Sequence, residues 1–130
     1  MKKTIYRDYA VSAFIFFGRV GTPSDTQTAV HNLQAYLLKN NIKISDEQFM
    51  ASLNDILACI ETLKDIDTMK DARELKEAIG IYTSISTGGS VTEQITRHSV
   101  DRYTSEASLY RRLQTCRELF AKHRGLRTSA

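Results

Sequence analysis

The chain has 130 residues, of which 42% are hydrophobic and 25% charged, and its formal net charge is +3. This length is sufficient for one domain with one hydrophobic core, and the composition excludes a disordered chain, in which apolar residues are scarce and net charge is high. Only one proline and six glycines are present, and valine and threonine do not form the alternating runs that indicate strands. An all-α fold is therefore expected.

The first predicted helix runs from about Thr4 to Gly18. Its apolar residues follow helical spacing on more than one face, which predicts a helix buried on much of its circumference. Lys2 and Lys3 before an apolar run resemble the start of a secretion signal, but the run is short and aromatic, and no small-residue cleavage site follows. No segment has the roughly 18 consecutive apolar residues that a membrane span requires. We therefore expect a cytoplasmic protein with no membrane partner.

Three further helices are predicted before residue 86, and two of them begin with a capping box. Ser24 with Gln27, and Ser45 with Gln48, have the spacing at which the serine side chain accepts from a free amide and the glutamine reaches back. The helix from Ser45 contains the strongest amphipathic run in the chain, and the next helix is expected from about Thr68. The helix-ending residues are Gly18, Gly21 and Pro23 after the first helix, and Asn40 and Asn41 after the second.

The stretch 86–89, with sequence Ser-Thr-Gly-Gly, is the clearest hinge in the chain. A third capping box, from Ser90 to Glu93, then predicts a short fifth helix that ends at about Arg102. Gly88, Gly89 and Ser90 are only a weak match to a phosphate-binding loop, because no strand precedes them and the lysine of such loops is absent. We therefore interpret the stretch 86–89 as a connection between two parts of the fold.

The last predicted helix is capped by Thr104 or Ser105 and ends at Gly125. Neither glycine nor proline separates it from the fifth helix, so one continuous helix is the alternative. Apolar residues at helical spacing predict one buried stripe along it. These residues are Leu109, Leu113, Cys116 and Phe120.

The residues that most often carry catalysis or bind metals form no recognisable motif. Cys59 and Cys116 each lie in an apolar helical stripe, which predicts buried reduced thiols and fits a reducing compartment. Cys116 and His123 fall on one side of the last helix, but a metal site would require ligands from elsewhere. No nucleophile–base pair or paired carboxylates are evident. We expect no enzyme activity, no catalytic residue, no metal and no cofactor.

Positive charge is concentrated at the C-terminal end of the chain. Residues 1–90 contain ten Lys and Arg against eleven Asp and Glu, a net charge of −1, whereas residues 91–130 contain eight against four, a net charge of +4. Seven of those eight are arginines. The planar guanidinium can bind a phosphate through two hydrogen bonds and is the commonest reader of guanine. The asymmetry therefore predicts a polyanionic partner.

The first turns of the last helix carry hydroxyl groups and arginines on the faces away from the buried stripe. In a recognition helix, this is where side chains meet base edges in the major groove, while neighbouring basic residues hold the flanking phosphates. The alternatives are a solvated basic face without a ligand, and binding to RNA or to an acidic protein. The candidate DNA-binding residues are Arg97, Arg102, Ser105, Ser108, Arg111, Arg112, Thr115, Lys122 and Arg124.

Two runs in this region resemble a known DNA-binding module. Residues 95–100 (Ile-Thr-Arg-His-Ser-Val) and 105–113 (Ser-Glu-Ala-Ser-Leu-Tyr-Arg-Arg-Leu) are similar to the end of a sigma-region-4-like helix-turn-helix. Small phage- and prophage-type transcriptional regulators of Gram-positive bacteria often close with such a module. The resemblance implies a DNA-binding regulator without a cofactor, in which Ser108, Arg111 and Arg112 occupy the recognition-helix positions.

The sequence as a whole predicts a single all-α domain of five or six helices, with residues 1–85 as a helical bundle and residues 90–126 as a helix-turn-helix-like basic unit. The expected function is a transcriptional regulator that binds double-stranded DNA, with self-association or contact with RNA polymerase also open. The alternative is a helical protein-interaction or assembly module whose aromatic N-terminal face packs against a partner or a second copy. That face consists of Tyr6, Tyr9, Phe14, Phe16 and Phe17.

Overall fold

The computed structural model describes residues 2–87, 93, 95–97, 99 and 105–126, and within these residues it contains no β-strand. The all-α prediction is confirmed, and the helices pack as one domain. No helix in the described ranges has the length and apolar character needed to cross a bilayer. The elements in chain order are α1 (Lys2–Arg19), α2 (Thr26–Lys39), α3 (Asp46–Asp67), α4 (Ala72–Thr83), a 3₁₀ turn (Ser84–Thr87) and α5 (Glu106–Arg124).

Helix α1 lies at the centre of the packing, because it contacts α3, α4 and α5. The Phe14 ring stacks on the Tyr82 ring of α4 with 5.7 Å between centroids, and it meets the Phe120 ring of α5 edge-on at 5.5 Å. Aromatic pairs in these two geometries add to the free energy gained from burying their surface. The prediction that the first helix is buried on much of its circumference is confirmed.

The aromatic residues of α1 belong to the chain's own core. Tyr6, Phe14 and Phe17 are at most 4% exposed. Tyr9 and Phe16 are half-buried and pack against the same core. The aromatic face predicted as a surface for a partner or a second copy is therefore covered by other helices of the chain, with Phe16 against Tyr36 of α2 and the other residues against α3, α4 and α5.

Helices α1, α2 and α5 end in the same left-handed cap. One residue just after the last helical turn has a positive φ in each case: 84° at Gly21, 55° at Asn41 and 76° at Gly125. Two backbone hydrogen bonds close the last turn at each site in the pattern of a Schellman motif. Gly and Asn are the residues that adopt this conformation at least cost. The predicted ends of these three helices are confirmed.

The start of α3 is as predicted, whereas that of α2 is displaced by one residue. The Ser45 hydroxyl accepts from the Gln48 amide at 3.1 Å, and the Gln48 side chain accepts from the Ser45 amide at 2.9 Å. The N-cap of α2 is Asp25 instead of Ser24, and its carboxylate accepts from the Thr28 amide at 2.7 Å. This hydrogen bond lowers the pKa of Asp25. At the positive end of a helix, an ionised carboxylate accepts a stronger hydrogen bond than a serine hydroxyl does, which explains why Asp25 and not Ser24 is the N-cap.

The prediction that a fourth helix begins at Thr68 is wrong. Thr68 is instead the C-cap of α3, where its hydroxyl donates to the Asp65 carbonyl at 2.7 Å, and α4 begins only at Ala72. The apolar stripe of α3 continues to Ile66, which is fully buried. Burial of Ile66 keeps the last turn of α3 in the core, so Thr68 ends α3 and does not start the next helix.

The fifth predicted segment lies mostly outside the described residues, as do the hinge glycines, the capping box at 90–93 and Arg102. In its described part, Glu93, residues 95–97 and Ser99 are helical. Ile95 is 2% exposed and joins the hydrophobic core. Ser105 has an extended backbone and caps α5. Because the helical backbone is interrupted at Ser105, α5 begins at Glu106, and the alternative of one continuous helix is excluded.

The two cysteines provide a test of the core, because both are buried reduced thiols as predicted. Burial raises the pKa of the Cys59 thiol well above its usual range and that of Cys116 to about 12. Since the thiolate is the reactive form, we expect the native protein at pH 8 to react with DTNB at least about a hundredfold more slowly than the protein unfolded in denaturant. Rapid release of two equivalents of chromophore from the native protein would contradict this packing.

Candidate functional site

Helix α5 carries most of the described basic residues at the C-terminal end, and its packing decides which of them a ligand can reach. The four residues of its predicted stripe are all fully buried, so the stripe prediction is confirmed. The buried side packs against α1, α3 and α4. At 100° per residue, Arg111 lies roughly opposite the centre of this stripe, whereas His123 and Arg124 lie only about 50° from it.

The N-terminal half of α5 presents hydroxyl groups and arginines that are linked to one another. The Ser105 hydroxyl accepts from the Ser108 amide at 3.2 Å and contacts the Ser108 hydroxyl at 2.9 Å. Arg111 Nη2 donates to Ser108 Oγ at 3.1 Å. Thr115 Oγ1 donates to the Arg111 carbonyl at 3.1 Å. These hydrogen bonds orient four of the predicted site residues along one side of the helix.

Arg111 and Arg112 differ from Arg117 and Arg124 because no hydrogen bond or ion pair joins them to another described helix. Arg111 is exposed and Arg112 is half-buried. Among the described residues, no carboxylate lies within ion-pair distance of either guanidinium. Their positive charge is therefore available to an anionic ligand.

Arg124 was predicted to hold a flanking phosphate, but the structure directs its side chain inward. Its Nε donates to Asp55 Oδ1 of α3 at 2.7 Å, and the side chains of this ion pair are 24% and 21% exposed. The guanidinium also lies 5.9 Å from the ring of Tyr9, whose hydroxyl donates to the same Asp55 oxygen at 2.7 Å. The hydrogen bond to Asp55 raises the pKa of Arg124. Arg124 therefore joins α5 to α1 and α3.

Two other basic residues of α5 make similar contacts within the chain. Arg117 Nη1 donates to the Tyr82 hydroxyl of α4 at 2.7 Å, and its Nε is buried without a hydrogen-bond partner. His123 Nε2 lies 2.6 Å from Asp65 Oδ2 of α3. The C-terminal half of α5 is thus attached to the bundle through polar contacts that flank the buried stripe.

These attachments were not predicted from the sequence, although the spacing of the residues contains part of the information. A helical wheel places Arg117 and Arg124 next to the buried stripe, where a long side chain reaches the neighbouring helices. The partners of Arg117, His123 and Arg124 are each at least 35 residues away in the sequence. Only the packing of the helices brings those partners within reach.

The remaining candidates are distributed between α5 and the segment before it. Arg97 is exposed in the described part of that segment, and Lys122 is exposed on α5. Most of the predicted DNA-binding residues therefore lie at the surface of the structure. We name these surface residues the α5 basic face. Its members are Arg97, Ser105, Ser108, Arg111, Arg112, Thr115 and Lys122.

A groove of about 560 Å³ lies between α1 and α3, beside the Asp55–Arg124 ion pair. Asp8, Tyr9, Phe16 and Asp55 are among the residues that line it. Of its two carboxylates, Asp55 already binds Arg124 and the Tyr9 hydroxyl, so its charge is compensated within the chain. Across the described residues, no three His, Cys, Asp or Glu side chains come together as metal ligands.

These features define an all-helical protein with one well-packed core and a basic face on its last helix. No protein-family model, curated protein or solved structure matches this chain. A function for this chain is therefore proposed from the geometry of the α5 basic face alone.

Proposed function

We propose that this chain is a cytoplasmic DNA-binding transcriptional regulator of the phage type, that it binds double-stranded DNA through the α5 basic face, and that it is not an enzyme. The observation that carries the proposal is the position of Arg111 and Arg112. Both guanidinium groups lack an acidic partner in the described part of the chain, and Arg111 lies on the side of α5 opposite its buried stripe.

The chemistry of this face suits a major groove. An arginine can donate two hydrogen bonds to the edge of guanine, and serine and threonine hydroxyls bind base edges or phosphates. Ser108 and Thr115 flank Arg111 and are hydrogen-bonded to it. Arg97 and Lys122 are exposed cations suited to the neighbouring phosphates. In this proposal, Arg111 is the residue most suited to read a base.

The Arg111→Ala variant tests the proposal. A specific duplex is first selected from a random pool with the full chain, and binding is then measured by fluorescence anisotropy over a salt series. We expect the wild-type log–log slope to be about −0.9 for each phosphate neutralised. Loss of Arg111 should weaken binding to the selected duplex by about 1–3 kcal/mol and binding to random duplexes by much less.

Two control variants show whether a lower affinity results from a lost DNA contact, from the loss of a positive charge or from lower stability. Arg19→Ala removes an exposed arginine of α1, far along the chain from the α5 basic face, and should leave affinity for the selected duplex unchanged. Arg124→Ala breaks the Asp55 ion pair and should lower stability with little effect on the salt dependence. If the folded wild-type chain binds no duplex at low salt, the α5 basic face is a solvated surface and the proposal is wrong.

A further inference from the structure

In the part of the chain that the structure describes, most of the large exposed hydrophobic residues lie around one loop. Four large hydrophobic residues are substantially exposed in the described part of the chain, and three of them are Leu38 (81%), Ile42 (41%) and Met50 (51%). All three lie at the connection between α2 and α3. Leu38 is in the last turn of α2, Ile42 in the loop, and Met50 in the second turn of α3.

These residues lie within one stretch of 13 residues around the loop that joins α2 to α3, and the two helices contact each other. The amide of Ile42 donates to the Leu37 carbonyl at 2.9 Å, which places Ile42 directly against the last turn of α2. Met50 is the fifth residue of α3, so the rise of the helix carries it only about 6 Å from the start of that helix. We name this surface, formed by residues 38–50, the α2–α3 patch. Clustered exposed apolar residues of this kind mark interaction sites more often than single ones do.

The α2–α3 patch carries balanced charge of both signs. Lys39 and Lys43 lie on the α2 and loop side, and Asp46 and Glu47 lie in the first turn of α3. All four side chains are exposed, and none forms an ion pair with another described residue. By contrast, Asp55, Asp65 and Asp67 of α3 each form an ion pair with a residue of another helix.

We propose that the α2–α3 patch is the interface of a homodimer, in which the patch of one copy packs against the same patch of a second copy. A two-fold axis packs the patch of one copy against the identical patch of the other, so the charges of the patch must complement one another. Here Leu38, Ile42 and Met50 would form the apolar centre, and the lysines of one copy would face the carboxylates of the other. The patch has two positive and two negative charges, so the copies do not repel one another.

This interface is independent of the α5 basic face, which lies on a different helix. The dimer forms without DNA, and the DNA contacts do not use the α2–α3 patch. Sedimentation measured without DNA therefore tests the dimer alone. A chain that dimerises without binding DNA would support this inference and refute the proposed function, and a monomer that binds DNA would do the reverse.

The experiment is sedimentation velocity of the full chain at concentrations up to about 0.5 mM, because a small patch gives a weak dimer. The wild type should shift from monomer to dimer as its concentration rises. The Leu38→Glu variant should raise the dimer dissociation constant by at least about tenfold, since it places a carboxylate in the apolar centre. Tyr110→Glu makes the same change at the fourth exposed hydrophobic residue, outside the patch, and should leave the dissociation constant unchanged.

A charge exchange distinguishes this interface from non-specific association. Lys43→Glu alone should weaken the dimer, because two negative patches then meet. Combined with Glu47→Lys, it should return the dissociation constant to within about threefold of the wild type, because each patch again carries both signs. Far-ultraviolet circular dichroism confirms that each variant is folded. A wild type that stays monomeric, or a double variant no tighter than Lys43→Glu, would overturn the proposal.

Discussion

The Gly18→Ala variant is expected to be less stable than the wild type by about 3 kcal/mol, because α1 and α4 approach each other closely at this residue. A Cβ on Gly18 would lie 2.8 Å from the Cα and the carbonyl carbon of Thr83, and closer still to its carbonyl oxygen. Backbone atoms in a packed helix cannot move aside as a flexible side chain can. The two helices would have to separate, which would disturb the core around Phe14 and Tyr82 as well.

Gly80→Ala is the matched control for this prediction. Gly80 is also a helical glycine, in α4, but a Cβ there would meet no atom within 4 Å. Alanine has the higher helix propensity, so this variant should be as stable as the wild type or more stable by up to about 1 kcal/mol. Urea denaturation followed by circular dichroism measures both variants. Equal stability of Gly18→Ala and the wild type would show that α1 and α4 are farther apart than described.

Phe14→Ala is expected to lower the free energy of unfolding by about 3–5 kcal/mol, the largest effect of any single truncation proposed for this chain. Phe14 is fully buried and touches aromatic rings on two other helices, Tyr82 on α4 and Phe120 on α5. Removal of its ring leaves a cavity where three helices meet. It also removes two aromatic contacts that contribute beyond the buried area.

Tyr110→Ala provides the comparison for Phe14→Ala. It also removes an aromatic ring from a helix, but Tyr110 is 48% exposed, so stability should change by no more than about 0.5 kcal/mol. Urea denaturation and thermal unfolding of the two variants should give the same ranking. A change at Phe14 as small as that at Tyr110 would mean that α1 does not contribute its aromatic side to the core.

The features of this fold that depend on neighbouring residues in the sequence were predictable. The capping box at Ser45 and Gln48, the left-handed residues at Gly21 and Asn41, and the buried stripe of α5 all depend on residues within about two helical turns of one another. The start of α2 was predicted one residue too early. Asp25 caps α2 in place of Ser24 because its carboxylate makes the stronger hydrogen bond.

Two features depended on contacts between residues that are distant in the sequence. These are the end of α3 and the burial of the aromatic residues of α1. Burial of Ile66 keeps α3 helical up to Asp67, so Thr68 caps the end of α3 and does not start the next helix. The aromatic residues of α1 are equally compatible with a partner-binding face and with a core, and periodicity does not distinguish the two. The packing of α4 and α5 against Phe14 decides for the core.

The sequence by itself determined that this chain is helical, where most of its described helices begin and end, and that its positive charge lies at the C-terminal end. Only the tertiary structure decided which basic residues face outward. Arg117, His123 and Arg124 turn towards Tyr82, Asp65 and Asp55, whereas Arg111 has no acidic partner in the described chain. The physical reason is that a long cationic side chain beside a buried stripe points to whichever partner the neighbouring helix supplies, and helix packing alone brings such distant residues together.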